Sequence, residues 1–339
     1  MKKSLLLTML AAVLLLGCGD KKSATPVAAP KVLHLYNWNN YIAPETVTRF
    51  EAQCQCQVVQ DYYGDNEELL AKLAAGAKGY DIFVPTGNVL QALIKQQAVQ
   101  PLDKSQLTKL SNINPVYLQT QFDPKNEYSV PYAYTTTIIG YNSAKIQELG
   151  LPSDSWRLIF DPVILAKIKG KVTVLDSQRE LMAAALKYLG YSANDIDAAH
   201  WEQAKQTILK AKPYWAAFNN TYAKELALGN IWVAHGYSSD MYQANLDAIA
   251  AKRPFNILAS IPKEGATLSL DSMVIAKDAP RPDLAHQFIQ FMLEGSNAAE
   301  LSNMVGTGNP NQAALAYIKP EIAKMPVIFP DAEAQKRLE

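Results

Sequence analysis

Only three cysteines and four histidines are spread over the 339 residues. Cys18, Cys54 and Cys56 form no C-x-x-C pair and have no histidine beside them, which is poor spacing for a metal centre. An i, i+2 pair such as Cys54 and Cys56 points to opposite faces of a strand, or apart on a helix. A bridge between them is expected to be strained, so both are read as ordinary small residues. His34, His200, His235 and His286 are scattered, and none stands near a serine or cysteine in a nucleophile motif. No Gly-rich phosphate loop and no H-E-x-x-H is present. His235, followed closely by Tyr237 and Asp240, is the one constellation that would suit catalysis. These absences argue against an enzyme, a metal site and any cofactor. An excess of one charge is missing as well, with 32 basic side chains against 32 acidic ones, so there is no basic field for nucleic acid.

What is present begins at the N-terminus. Lys2 and Lys3 precede an apolar stretch at residues 5–16, too short for a transmembrane helix and placed where a secretory signal belongs. It ends in Leu15-Leu16-Gly17-Cys18, which resembles a lipobox: residues 1–17 would be a signal peptide and Cys18 the lipidated new N-terminus. Residues 18–30 have too few apolar side chains to fold and read as a lipidated tether. Gly19 directly after the cysteine gives no clear retention signal, so either membrane of the envelope remains open. With 49 % hydrophobic residues, the roughly 310 residues that follow can bury large cores, and that length suggests two domains or one bilobed unit.

From Lys31 the chain alternates short β-like runs with helical patterns. Residues 32–36 open as a strand, Pro44 stands where the first turn of a helix belongs, and residues 57–63 return to strand character. Asp65-x-x-Glu68 is a capping-box-like start for a helix over 67–75, ended by Gly76 and Gly79, before a third strand at 80–84 and a helix through Gln97. This βαβαβ order predicts an α/β protein with a mainly parallel sheet flanked by helices. A second α/β unit follows residues 131–137, with strands at 171–175 and 231–234 and helices at 180–188 and 198–211; residues 268–276 read as a further strand.

Ligands of open α/β sheets bind beyond the carboxyl ends of strands. The places of interest therefore follow Tyr36, Val84, Leu175 and Ala234, and surround Asp271. They carry Trp38, Asn39 and Tyr41; Thr86 and Asn88; Ser177 and Glu180; His235, Tyr237 and Asp240; Ser269 and Asp271. Each has a plainer reading: Trp38 as core, Glu180 as the acidic first turn of a helix, Asp240 as a cap or surface charge. Asp271, between apolar runs, is costly without a partner. Aromatics and carboxylates recurring together form the signature of an amine site, because ring faces and carboxylates both attract an ammonium.

The residues Tyr36-Asn37-Trp38-x-x-Tyr41-Ile42-x-Pro44, Tyr80-Asp81-Ile82-x-Val84-Pro85, Pro101-Leu102-Asp103-Lys104-Ser105, Pro131-Tyr132, Ile139-Gly140-Tyr141-Asn142, Pro262-Lys263-Glu264-Gly265 and the stretch 317–321 carry a resemblance. In that order they resemble the extracytoplasmic polyamine-binding proteins of spermidine/putrescine ABC importers. The resemblance implies a two-lobed, type II periplasmic-binding-protein-like fold with two hinge crossovers, near 134–139 and 262–268, closing on a ligand. Residues 31–135 plus 268–312 would form one lobe, and 136–267 plus 313–339 the other. It also implies a monomer that hands a small cationic amine to an ABC permease complex in the inner membrane, on the periplasmic side of the envelope.

Carried over by position, Trp38 and Tyr41 match aromatic walls, Asn39 a small hydroxyl position and Thr86 a serine. Glu180 and Asp240 match ligand-binding carboxylates, Tyr237 a tryptophan, and Asp271 the principal ammonium-binding aspartate. Asn40 replaces an acidic residue, Ser177 a second aspartate of spermidine-type members, Ser269 a large aromatic and Thr307 a tyrosine, while Asn88 occupies a tyrosine or serine position. Two absent walls would cost roughly 1–2 kcal/mol each and leave room for a bulkier or more polar amine, such as a guanidino or acylated derivative. The same fold would equally serve a sensor that reports the amine to a membrane receptor.

Overall fold

A computed structural model describes residues 31–64 and 66–339. The signal segment, Cys18, the tether and Asp65 lie outside the described residues. Among those described, no helix is long and apolar enough to cross a membrane.

The sheet is built from β1 (Lys31–Trp38), β2 (Cys56–Tyr63), β3 (Ile82–Phe83), β4 (Ser129–Asn142), β5 (Val172–Val174), β6 (Ala217–Phe218), β7 (Val233–Tyr237), β8 (Ile257–Ser260) and β9 (Thr267–Ile275). Its order is β2-β1-β3-β9-β4-β7-β5-β6, with β8 also paired to β4. The expected parallel pairing holds on both flanks, β1 with β2 and β3, and β5 with β6 and β7. Between the flanks run β4 and β9, antiparallel to each other and to their neighbours β3, β7 and β8. The sequence motif Pro131 to Asn142 thus belongs to one strand of 14 residues.

Separate apolar cores sit under the two flanks. One packs Ile138, Trp156, Phe160, Val172, Tyr222 and Val233. The other flank buries Leu33, Phe50, Val130 and Phe288 on one side and Tyr36, Tyr63, Leu69 and Leu90 on the other. Helices lie where the local chemistry directs them. Pro44 starts Pro44–Cys54 with its φ already helical and no N–H to satisfy. Asp197 accepts the Ala199 and His200 amides at the head of Ala198–Ala211.

One expectation is overturned here. Cys54 and Cys56 form a disulfide, with Cα atoms 5.2 Å apart. The objection to an i, i+2 bridge assumed one regular element. Cys54 instead ends a helix and Cys56 opens β2, while Gln55 between them is left-handed at φ 50° and turns the two side chains together.

Candidate ligand-binding site

Register places the predicted side chains on one face of the central strands. Asp271 pairs with Ala133, Ser269 with Thr135, and Thr267 with Thr137, which pairs on its other side with Tyr237. Directly opposed residues of antiparallel strands share a face, and i, i+2 alternation keeps Thr267, Ser269 and Asp271 together. The result is a polar floor about 14 Å long, at roughly 3.4 Å per residue, with a carboxylate group at each end.

Asp271 marks the first end. It is 6 % exposed and accepts the Tyr41 hydroxyl at 2.7 Å. Thr86 forms a bridge with it from beyond β3. Burial pushes its carboxyl up to about 7, while hydroxyl hydrogen bonds from Tyr41 and Thr86 hold it lower than burial alone would. Among the described residues it has no cationic partner. Tyr41 reaches it because Asn40 takes a left-handed conformation at φ 54°, which asparagine tolerates, and folds the loop back. The Tyr132 hydroxyl then holds the Tyr41 carbonyl at 2.6 Å. Burial and Asp271 raise the Tyr41 phenol well above its ordinary value, so it stays a donor. The half-buried Trp38 lies beside this end. Its indole N–H donates to the Val84 carbonyl at 2.8 Å, as does the Tyr63 hydroxyl at 2.6 Å, and the two rings are 4.7 Å apart. Thr86 precedes the helix Gly87–Lys95, yet its hydroxyl does not cap it; it accepts the Asn66 amide at 2.7 Å.

Glu180, Tyr237 and Asp240 form the second end. Glu180 is buried in the first turn of Gln178–Tyr188, where the helix N-terminus favours negative charge, and accepts the Thr267 hydroxyl at 2.7 Å. Tyr237 is the last residue of β7, and Asp240 lies in the first turn of the helix Ser238–Ala250 that follows. Asp240 accepts a short hydrogen bond from Tyr222, and burial raises its carboxyl above the ordinary value against that bond. The Tyr237 phenol is raised first by burial, then by the negative charges of Glu180, Asp240, Asp271 and Glu67.

The remaining predicted residues separate. Ser269 lies mid-floor, half-buried. Asn39 and Asn88 are exposed. Thr307 is 1 % exposed, and its hydroxyl has no partner among the described residues. His235 is fully buried with both ring nitrogens unpartnered, edge-on to Trp156 at 5.5 Å, and burial lowers it to about 3. It bonds neither Tyr237 nor Asp240. Among the described residues no group of His, Cys, Asp and Glu is placed to hold a metal ion. Sequence reasoning missed Thr137, Thr267, Tyr63, Tyr222 and Glu67. That Thr267 shares a face with Ser269 and Asp271 was legible, since it is their i−2 and i−4 neighbour; its bond to Glu180 and its pairing with Thr137 were not. Tyr222 carried no local signal.

Residues 45–330 match the family described as bacterial extracellular solute-binding protein. A putrescine/cadaverine-binding protein of Pseudomonas aeruginosa is 56 % identical over 317 residues, 93 % of this chain and 90 % of that protein. The putrescine-binding periplasmic protein PotF of Escherichia coli is 38 % identical over 322 residues, 93 % of this chain and 87 % of that protein. Among solved structures, the spermidine/putrescine ABC transporter substrate-binding protein PotD of Streptococcus pneumoniae superposes with a TM-score of 0.81 at 29 % identity, over 91 % of this chain and 92 % of that one. All three are named as binding proteins, and the solved one shares the fold of this chain. The chain belongs to the bacterial extracellular solute-binding proteins.

Proposed function

We propose that the chain captures a small cationic amine of the putrescine and cadaverine type outside the cytoplasm and delivers it to an ABC permease complex in the inner membrane. The observation that carries this reading is the buried Asp271 carboxylate, which meets hydroxyls but no cation among the described residues, at one end of a floor whose other end holds Glu180 through Thr267. A buried carboxylate without a cation is costly, and an ammonium about 4 Å away gains roughly 4 kcal/mol at an effective dielectric of 20. Carboxylates at both ends of a polar floor suit a molecule with two positive ends. The name of the Pseudomonas relative points to the same ligands.

The ligand contacts are assigned to Trp38, Asn39, Tyr41, Thr86, Asn88, Glu180, Tyr237, Asp240, Ser269, Asp271 and Thr307. Residues 31–135 plus 268–312 would move as one lobe and 136–267 plus 313–339 as the other. The separate cores and the two antiparallel strands that cross between flanks support that division. Cys18 would anchor the monomer to a membrane through its lipid. A thermal-shift screen of residues 31–339 against putrescine, cadaverine, spermidine, norspermidine, agmatine and amino acids tests the reading. An amine at 100 times its dissociation constant should add about 2.7 kcal/mol of stability. Shifts with anionic or neutral solutes and none with amines would refute it.

A further inference from the structure

Asp240 occupies the third position of the helix Ser238–Ala250, and Tyr237, at its N-cap, makes no side-chain cap. In a capping box the side chain at that position reaches back to the N–H of the N-cap residue. In this chain a third residue stands between the two groups. The Tyr222 hydroxyl accepts the Tyr237 N–H at 2.8 Å and donates to Asp240 Oδ2. Tyr222 comes from the separate helix Tyr222–Leu228 and is 1 % exposed. Its ring fills the space beside Gly236: a Cβ there would come within 2.3 Å of two ring carbons and 2.5 Å of the hydroxyl. Glycine at 236 is what lets the hydroxyl enter the strand–helix junction.

We propose that Tyr222 is a positioning residue, which by interposing its hydroxyl keeps the Asp240 carboxylate off its own helix and turned to the second ammonium of a diamine. Resting on the amine-binding function proposed above, this gives Tyr222 control over selection for a doubly charged ligand. The hydroxyl fixes one carboxylate oxygen and leaves the other for the ligand. Without it, Asp240 can swing about its two soft torsions onto the Tyr237 N–H. The fold then keeps its hydrogen bonds, and the site loses one arm.

The test compares wild type, Tyr222→Phe, Asp240→Asn and the double variant by calorimetry with putrescine and with butylamine, which keeps one ammonium and the same carbon chain. Tyr222→Phe should bind putrescine about tenfold more weakly, or 1.4 kcal/mol, and butylamine within twofold of wild type. In the Asp240→Asn background it should cost nothing further. Equal losses for both ligands, no loss for either, or a full additional loss in the Asp240→Asn background would overturn the proposal by reducing Tyr222 to a structural role. Wild type that binds no amine would overturn the proposed function itself, a distinguishable result. Should Tyr222→Phe fail to fold, 3-fluorotyrosine at position 222 keeps the ring and strengthens the donor. It should then shift putrescine affinity alone, and unchanged affinity would count against the proposal.

Discussion

At the scale of single residues, the proposed role of Asp271 would link ligand capture to pH. Its carboxyl titrates at about 7 in the folded chain, against about 3.9 for an unfolded aspartate. Between those values the folded state holds a proton that the unfolded state has released. The ligand-free stability attributable to Asp271 therefore falls as pH rises through that window. Amine binding moves the other way, because an ammonium requires the ionised carboxylate. Amine affinity should be greatest above pH 7 and weaken by up to tenfold per unit below it. Calorimetry at pH 5.5, 7 and 8.5 checks this, and binding near pH 7 should release protons to the buffer. A pH-independent affinity would show that Asp271 is already ionised without ligand. The sequence singled out Asp271 because a carboxylate between apolar runs is conspicuous. Thr267 escaped notice because a threonine in a strand is ordinary, and only register reveals that it holds Glu180.

Among the elements, helices and parallel strands were legible because their signals are local. The pattern gave the helix Ala198–Ala211 to the residue, and Pro44 its start. Strand ends were read short: β1 runs on to Trp38 and β7 to Tyr237, so these two ring-bearing residues close their strands instead of opening loops. β4 was seen only as fragments, since its pairing with β7, β8 and β9 is entirely non-local. The Cys54–Cys56 bridge depended on one backbone conformation, at Gln55, that no periodicity encodes. Its loop of three residues restricts the unfolded chain little. The chain-entropy relation gives about 1.6 kcal/mol, against about 4.7 for a 100-residue loop. The Cys54→Ser, Cys56→Ser variant should lose roughly that much in urea unfolding while keeping wild-type amine affinity. A weakened site would mean that the bridge orders the Pro44–Cys54 helix and, through it, the Tyr41 loop.

For the whole molecule, the ordered motifs from Tyr36 to Glu321 disclosed the family, and the carboxylates at strand ends are what motivate the proposed ligand. The motifs placed the crossovers near 134–139 and 262–268, but not that long paired strands, β4 and β9, run through or beside them. The floor bearing Thr267, Ser269 and Asp271 lies on the same strand that crosses from one flank to the other, so the proposed ligand contacts and the crossover would share a backbone. The central claim is that a cationic amine is held there by Asp271, with Glu180 and Asp240 at the far end. Calorimetry of putrescine and cadaverine binding to wild type and Asp271→Asn at pH 8 tests it most directly. Asp271→Asn should nearly abolish binding, whereas Glu180→Gln, measured alongside, should weaken it less. Asp271→Asn binding either amine as tightly as wild type would place the ammonium elsewhere than at Asp271.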